Sequence, residues 1–270
     1  MTEPYAQLET VNMLLEEGAA TIELNRPDAL NAWNKQFGED LLAALQRAGE
    51  DDAVRAVRII GVGRAFSSGA DLRDVSGDDL TPEGRPNVYK ALTERYHPIM
   101  HAIREMGKPV VAAVNGPAVG IGCSLALCCD LVLAAESSYL LLAFVNIGLV
   151  TDGGSSVFVP ARVGVARAAE MMMLGERVSA PQALEWGLVN GVHSDESLAE
   201  QSLALTLRLA AGPTRAYAAT KRELNHQIYA EMGQQLELEA RLQQEMAGTD
   251  DFIEGVSAFL GKRPARFSGR

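Results

Sequence analysis

Short apolar runs alternate with amphipathic stretches through the first half of the chain, and from Gly153 onward the apolar positions keep a helical spacing. Residues 8–11 and 13–15 predict a short hairpin, and residues 20–24 predict the strand after it. Arg26-Pro27-Asp28 ends that strand. Asn31 or Asn34 is then placed to cap a helix running to about Gly49, with Phe37, Leu41, Leu42 and Leu45 on one face. Residues 54–62 carry β-branched side chains and predict a strand, whereas residues 77–86, rich in Gly, Asp and Pro, predict a mobile loop. A long amphipathic helix is expected over 87–106. Residues 109–114 are nearly all apolar, as in a strand buried on both faces. Residues 120–129 predict a helix sealed into the core, where the small side chains at Gly122, Cys123, Ser124 and Ala126 permit close packing. Residues 131–134 and 139–143 predict further strands, and helices follow over 155–162, 165–174, 180–186, 196–211, 214–229, 232–247 and 251–260. Strands first and helices last predict an α/β core over residues 1–195 and a helical C-terminal region over 196–270.

Two glycine-bearing turns, Phe66-Ser67-Ser68-Gly69-Ala70-Asp71-Leu72 and Asn115-Gly116-Pro117-Ala118-Val119-Gly120-Ile121-Gly122-Cys123, each follow an apolar strand-like run and lead toward an expected helix start. Backbone N–H groups at a helix start lack intrahelical partners. Two such donors converging on one point would form an oxyanion hole, which stabilises charge developing on a carbonyl oxygen. The pair of turns therefore points to an enzyme handling an activated acyl group. A net charge of −11 argues against broad nucleic-acid binding, which needs a basic face. It also means that an anionic ligand needs a local basic patch, and residues 262–270 supply Lys262, Arg263, Arg266 and Arg270, or else form a solvated tail. Cys123, Cys128 and Cys129 cluster in one apolar segment, which reads as buried thiols in a reducing cytoplasm and not as a disulfide framework or a metal site. The N-terminal residues lack the basic and apolar regions of a signal peptide, and no apolar run is long enough to span a bilayer.

Several motifs, in order along almost the whole chain, resemble the crotonase superfamily, also called the enoyl-CoA hydratase/isomerase family. They are residues 24–32 (Leu24-Asn25-Arg26-Pro27-Asp28-Ala29-Leu30-Asn31-Ala32), 63–72 from Gly63-Arg64-Ala65, Lys108-Pro109 through Asn115-Gly116, Gly120-Ile121-Gly122 through Cys129-Asp130, and Glu254-Gly255-Val256 through Lys262-Arg263. The resemblance implies a spiral of ββα units with a C-terminal helical region that builds trimers, commonly paired into hexamers. It places the oxyanion hole on the backbone N–H groups of Ala70 and Ile121. Contacts to coenzyme A are implied near Ala29 and at Ser68, Gly69, Asp71 and Leu72, with phosphate contacts from Phe259 and Lys262 of a neighbouring subunit; Arg26 either assists or is a solvated loop residue. The substrate is then an acyl-CoA thioester, with no metal and no separate cofactor.

The same resemblance bears on the chemistry. Hydratases of the family carry two glutamates that position and deprotonate water, and their positions here hold Ser124 and Phe144. Asp152 remains, at the position where isomerase branches shuttle a proton; Phe144 and the 250–262 segment are most like the ring-1,2-epoxyphenylacetyl-CoA isomerase branch. The apolar neighbours Phe144, Ile147, Leu149 and Val150 would raise the proton affinity of such a carboxyl. Local sequence alone also allows Asp152 to be no more than the N-cap of the next helix. His97 matches a histidine of the 4-chlorobenzoyl-CoA dehalogenase branch, or is a half-buried helix residue, whereas His193 and His226 fall outside every motif. Ser67, Ser68, Ser124 and Thr151 have no base placed to make them nucleophiles. An acyl pocket is expected between residues 77–87, the helix around His97 and the stretch near Phe144. The favoured expectation is an acyl-CoA isomerase, with a hydratase of atypical acid/base residues or a non-catalytic acyl-CoA-binding protein as alternatives.

Overall fold

The computed structural model describes residues 5–73, 80–82 and 84–270. A seven-stranded sheet runs in the order β1 (Ala6–Gln7), β2 (Val11–Glu16), β3 (Ala19–Leu24), β4 (Ala56–Gly61), β5 (Val110–Val114), β7 (Leu131–Ala135) and β10 (Gly191–His193). The first two strand pairings are antiparallel, and from β3 onward neighbours are parallel. A three-stranded sheet holds β6 (Ala118–Val119), β8 (Tyr139–Leu141) and β9 (Val178–Ser179).

Both faces of the large sheet are covered, which explains the unbroken apolar run of β5. Val110, Ala112 and Val114 join the main core beside α1 (Lys35–Glu50) and α3 (His97–Glu105), whereas Ala113 turns to the opposite face, where Leu198 of α7 (Leu198–Ala210) packs. Asn34, not Asn31, caps α1, its side chain accepting the Phe37 N–H. Asn31 instead adopts a left-handed backbone and ties the chain at Val62 and Ala65.

The hairpin expected to turn at Asn12 is displaced: β2 runs through Asn12, and the reversal falls at Glu17-Gly18, where both residues have positive φ. Consecutive left-handed residues match the twist of the flanking strands. The strand expected over 139–143 ends at Leu141, and a 3-10 helix, Ala143–Ile147, carries Phe144. The helix over 87–106 divides into α2 (Val88–Ala91), a π-helical stretch Leu92–Tyr96, and α3, whose second residue is Pro98. The expected break between residues 162 and 165 is present as a non-helical Gly164 within α5 (Ser155–Leu174). Residues 77–79 and 83 of the loop 77–86 lie outside the described residues, as do residues 74–76, where the helix start expected after the first glycine turn would fall.

The C-terminal helices are α8 (Thr214–Ile228), α9 (Met232–Met246) and α10 (Asp250–Leu260). A buried ionic cluster ties α8 to the sheet: Asp130 accepts from Arg104 of α3 at 2.9 Å, from Lys221 of α8 at 2.8 Å and from the Val110 N–H at 2.8 Å. Among the described residues, no helix is long and apolar enough to cross a membrane.

Candidate active site

The two glycine turns, far apart in sequence, are stitched together by backbone hydrogen bonds. The Ser67 N–H donates to Pro117 O at 3.0 Å, and the Val119 N–H donates to Ser67 O at 2.9 Å. Glycine is required where they touch. A Cβ on Gly122 would lie 2.6 Å from the Ser67 Cβ, and one on Gly69, whose φ is +92°, would lie 2.9 Å from Val119 O. Ala70 sits at a parallel bridge with Trp33, in which the Trp33 N–H donates to Gly69 O and the Asp71 N–H donates to Trp33 O. That pattern turns the Ala70 N–H away from the bridge. Ile121 is the first residue of α4 (Ile121–Cys128), so its N–H has no intrahelical acceptor. Neither N–H has an acceptor among the described residues.

The Asp152 turn packs on the start of α4. Gly153 and Gly154 are both left-handed, and a Cβ on Gly153 would lie 2.3 Å from Ile121 Cδ1 and 3.0 Å from Ser124 Cβ. A Cβ on Gly120 would lie 3.8 Å from the Phe144 ring. The fold thus gathers Ala70, Ile121, Phe144 and Asp152 into one cluster.

Asp152 does not cap α5. The N-cap is Gly154, and among the described residues the Asp152 carboxyl receives no backbone donor; its Oδ2 accepts from the Gln243 amide at 3.1 Å, and its buried Oδ1 has no partner among those residues. Burial, with a smaller contribution from the charge of Glu239, pushes the Asp152 carboxyl well above the usual carboxylate range. The start of α5 is capped instead from α9. Glu239 accepts from the Gly154 N–H at 2.8 Å and the Ser156 N–H at 3.0 Å, and from the Ser156 hydroxyl. Burial raises Glu239 to about 7 against those hydrogen bonds.

Glu239 and Gln243 were invisible as site residues in the sequence. Their signal was a polar side chain at positions that continue the Met232, Leu236, Ala240 apolar stripe of α9, which is informative only once that stripe is known to be buried. Ser124, in contrast, is fully buried and engaged: its hydroxyl donates to Asp152 O at 2.8 Å and shares a 2.6 Å hydrogen bond with the Ser155 hydroxyl.

His97 is buried at the start of α3, and its Nε2 has no partner among the described residues. Desolvation, reinforced by His101 and opposed by Glu237, lowers it to about 4, so the ring is neutral at physiological pH. No hydrogen bond or ion pair joins it to Asp152 among the described residues. Ala29 and Ser68 do meet, through a 3.4 Å hydrogen bond from the Ser68 hydroxyl to Ala29 O. Asp71 is paired with Arg26 at 3.3 Å, and Leu72 is half-buried beside it. Phe259 and Lys262 are exposed near the end of α10, which packs through Gly255 on Ile147. In the basic tail, Arg263 is bound by Glu254, so it is not the free cation that charge alone suggests. Among the described residues, no group of three or more His, Cys, Asp or Glu side chains is gathered as a metal site.

Residues 15–270 match the model of the family described as enoyl-CoA hydratase/isomerase. The chain belongs to the enoyl-CoA hydratase/isomerase family. A protein named probable enoyl-CoA hydratase, from Rhodobacter capsulatus, is 41% identical over 97% of this chain and 98% of its own length. The 1,2-epoxyphenylacetyl-CoA isomerase of Escherichia coli is 36% identical over 97% of this chain and 100% of its own. The crystal structure of an enoyl-CoA hydratase from Mycobacterium avium subsp. paratuberculosis superposes with a TM-score of 0.86 at 35% identity, covering 97% of this chain and 100% of that one. The crotonase-type α/β fold expected from the motifs is therefore the fold of this chain, and the protein is an enzyme of a family that acts on acyl-CoA thioesters.

Proposed function

We propose that this enzyme is an acyl-CoA isomerase. The Ala70 and Ile121 N–H groups hold the thioester oxygen as an enolate, and Asp152 moves a proton between carbons of the acyl chain. The observation that carries this reading is the Asp152 carboxyl, buried with Oδ1 unpartnered among the described residues and followed by Gly153, which packs on Ile121 of the second turn. For a 3-enoyl-CoA, Asp152 takes a proton from C2, the thioester oxygen gains negative charge, and the same proton returns at C4. The double bond moves from C3–C4 to C2–C3, and nothing is oxidised or reduced. A carboxyl with raised proton affinity suits both halves of this cycle. The scheme needs no metal or separate cofactor, because coenzyme A arrives with the substrate.

Purified enzyme given cis-3-enoyl-CoA or an aryl-acetyl-CoA ring epoxide is expected to shift the double bond or open the epoxide, followed by ultraviolet absorbance and chromatography of the CoA esters. The second substrate is suggested by the relative at 36% identity, and with it a place in phenylacetate breakdown. The relative at 41% identity favours the alternative, hydration of a 2-enoyl-CoA with Asp152 as sole acid/base group. Water addition to crotonyl-CoA faster than any double-bond shift would replace isomerisation by that reading.

We also propose a homotrimer or homohexamer built through the C-terminal helices. Exposed Leu224 and Ile228 on α8 and Leu238 and Leu242 on α9 support it, because exposed large apolar side chains offer contact surface. Light scattering is expected to read three or six times the 28.9 kDa chain mass, and a monomer reading would exclude both. The buried thiols of Cys123, Cys128 and Cys129, raised by burial, fit a reducing cytoplasm.

A further inference from the structure

The Asp152 turn is built from residues that give it little stiffness of its own. Gly153 and Gly154 follow the carboxyl directly with φ of 63° and 82°. The terminal torsion of an aspartate is broad, so a carboxylate rotates unless something holds it. Proton transfer between two carbons of one substrate needs the accepting oxygen kept in place through both transfers.

Helix α9 provides what the turn lacks. Gln243 is fully buried, and its Nε2 donates to Asp152 Oδ2 at 3.1 Å and to Val150 O, so one amide grips both the carboxyl and the backbone before it. One turn earlier, Glu239 holds the Gly154 and Ser156 N–H groups on the other side of Asp152. The Gln243 Oε1 and Asp152 Oδ1 atoms have no partner among the described residues, so the amide uses its donor side for the turn and the carboxyl keeps one oxygen in reserve.

We propose that Gln243 is a positioning residue for proton transfer, fixing Asp152 Oδ2 so that Oδ1 alone exchanges the proton with substrate. The proposal rests on the reading of Asp152 as the proton shuttle. An amide suits the task chemically. Its N–H donates to Oδ2 whether Oδ1 is bare or protonated, so the contact persists through the cycle. A carboxylate at the same place would repel Asp152. A hydrocarbon side chain would leave Oδ2 desolvated and free to rotate, and misplacement of a reacting group by about 1 Å can cost roughly 100-fold in rate.

The test measures isomerisation of cis-3-enoyl-CoA by the full-length protein and three variants. Asp152→Asn is the benchmark. Gln243→Leu is expected to lower kcat by about 10- to 100-fold with KM within about threefold of the parent, the split that a loss of orientation produces. Gln243→Glu is nearly isosteric and covers the case in which Gln243→Leu does not fold. Its neutral carboxyl is able to donate to Oδ2 and its ionised form is not, so its activity is expected to fall with rising pH where the parent's does not. Glu239 is the one other charge acting on Asp152 among the described residues, since Ser124 of α4 and Ser155 of α5 are uncharged, and Glu239 is unchanged in both proteins. If Asp152→Asn is inactive while Gln243→Leu is folded and within about threefold of the parent in kcat, the positioning role is overturned and the role of Asp152 stands. A parent-like pH profile and kcat in Gln243→Glu overturns it equally. An active Asp152→Asn removes both readings together.

Discussion

Asp152→Asn is expected to reduce isomerase turnover by about 100- to 10,000-fold, the usual contribution of a positioned acid/base group, while acyl-CoA binding changes little. The substitution is isosteric. The introduced amide oxygen is able to take over the Gln243 hydrogen bond, so the turn from Val150 to Ser156 keeps its anchors. What disappears is the capacity to accept a proton. The variant also loses a carboxyl that burial and Glu239 both make costly to ionise, so its thermal stability is expected to equal or exceed that of the parent. Steady-state rates on cis-3-enoyl-CoA, calorimetric binding of a saturated acyl-CoA and a thermal melt together check the prediction. Undiminished turnover, with the melt unchanged, would take Asp152 out of the mechanism.

Asp130→Ala is expected to destabilise the fold by about 3–5 kcal/mol, the range for breaking a buried ion pair. Both carboxylate oxygens of Asp130 are in use. Oδ1 faces Arg104, and Oδ2 receives Lys221 and the Val110 N–H. Arg104 and Lys221 are each only 5% exposed, so removing the anion strands two buried cations. Arg104 retains Asn225 and the Cys128 carbonyl, and among the described residues Lys221 retains the Lys108 carbonyl alone. Burial already lowers the proton affinity of Lys221 in the intact cluster, and loss of Asp130 would lower it further. Because α8 is joined to the sheet here, the loss is also expected to loosen the C-terminal helices. A fall in melting temperature of about 6–20 °C corresponds to this energy for a chain of such size. A shift of a degree or less would mean that the cluster is replaced by solvent without penalty.

Local signals carried much of this architecture. The apolar run of β5 and the Gly164 interruption are each set by a few neighbouring residues and are readable in the sequence, which leaves the cap of α1 open between Asn31 and Asn34. The hairpin was misplaced because Glu16-Glu17-Gly18 lacks the usual Asn-Gly turn signal, although Gly18 supplies the required conformation. The strand expected over 139–143 stops at Leu141 and its last expected residue, Ala143, opens a 3-10 helix, because a short apolar run does not distinguish a strand from a helical turn.

The candidate site divides along the same line. Sequence alone determined which groups are available: glycines at 69, 120 and 122 that admit close backbone approach, one aspartate at 152, and Ser124 and Phe144 at positions without an acid or base. Those are properties of residue type, and they survive in the unfolded chain. Only the tertiary structure decided how the groups act. It placed Gly153 against Ile121, withdrew Asp152 from the helix cap and gave that cap to Glu239, and set Gln243 on the Asp152 carboxyl from 91 residues away. The physical reason is that proton affinity and orientation depend on desolvation and on partners within a few ångströms. The fold brings those partners from α9, where a buried Glu or Gln is indistinguishable in sequence from one facing water.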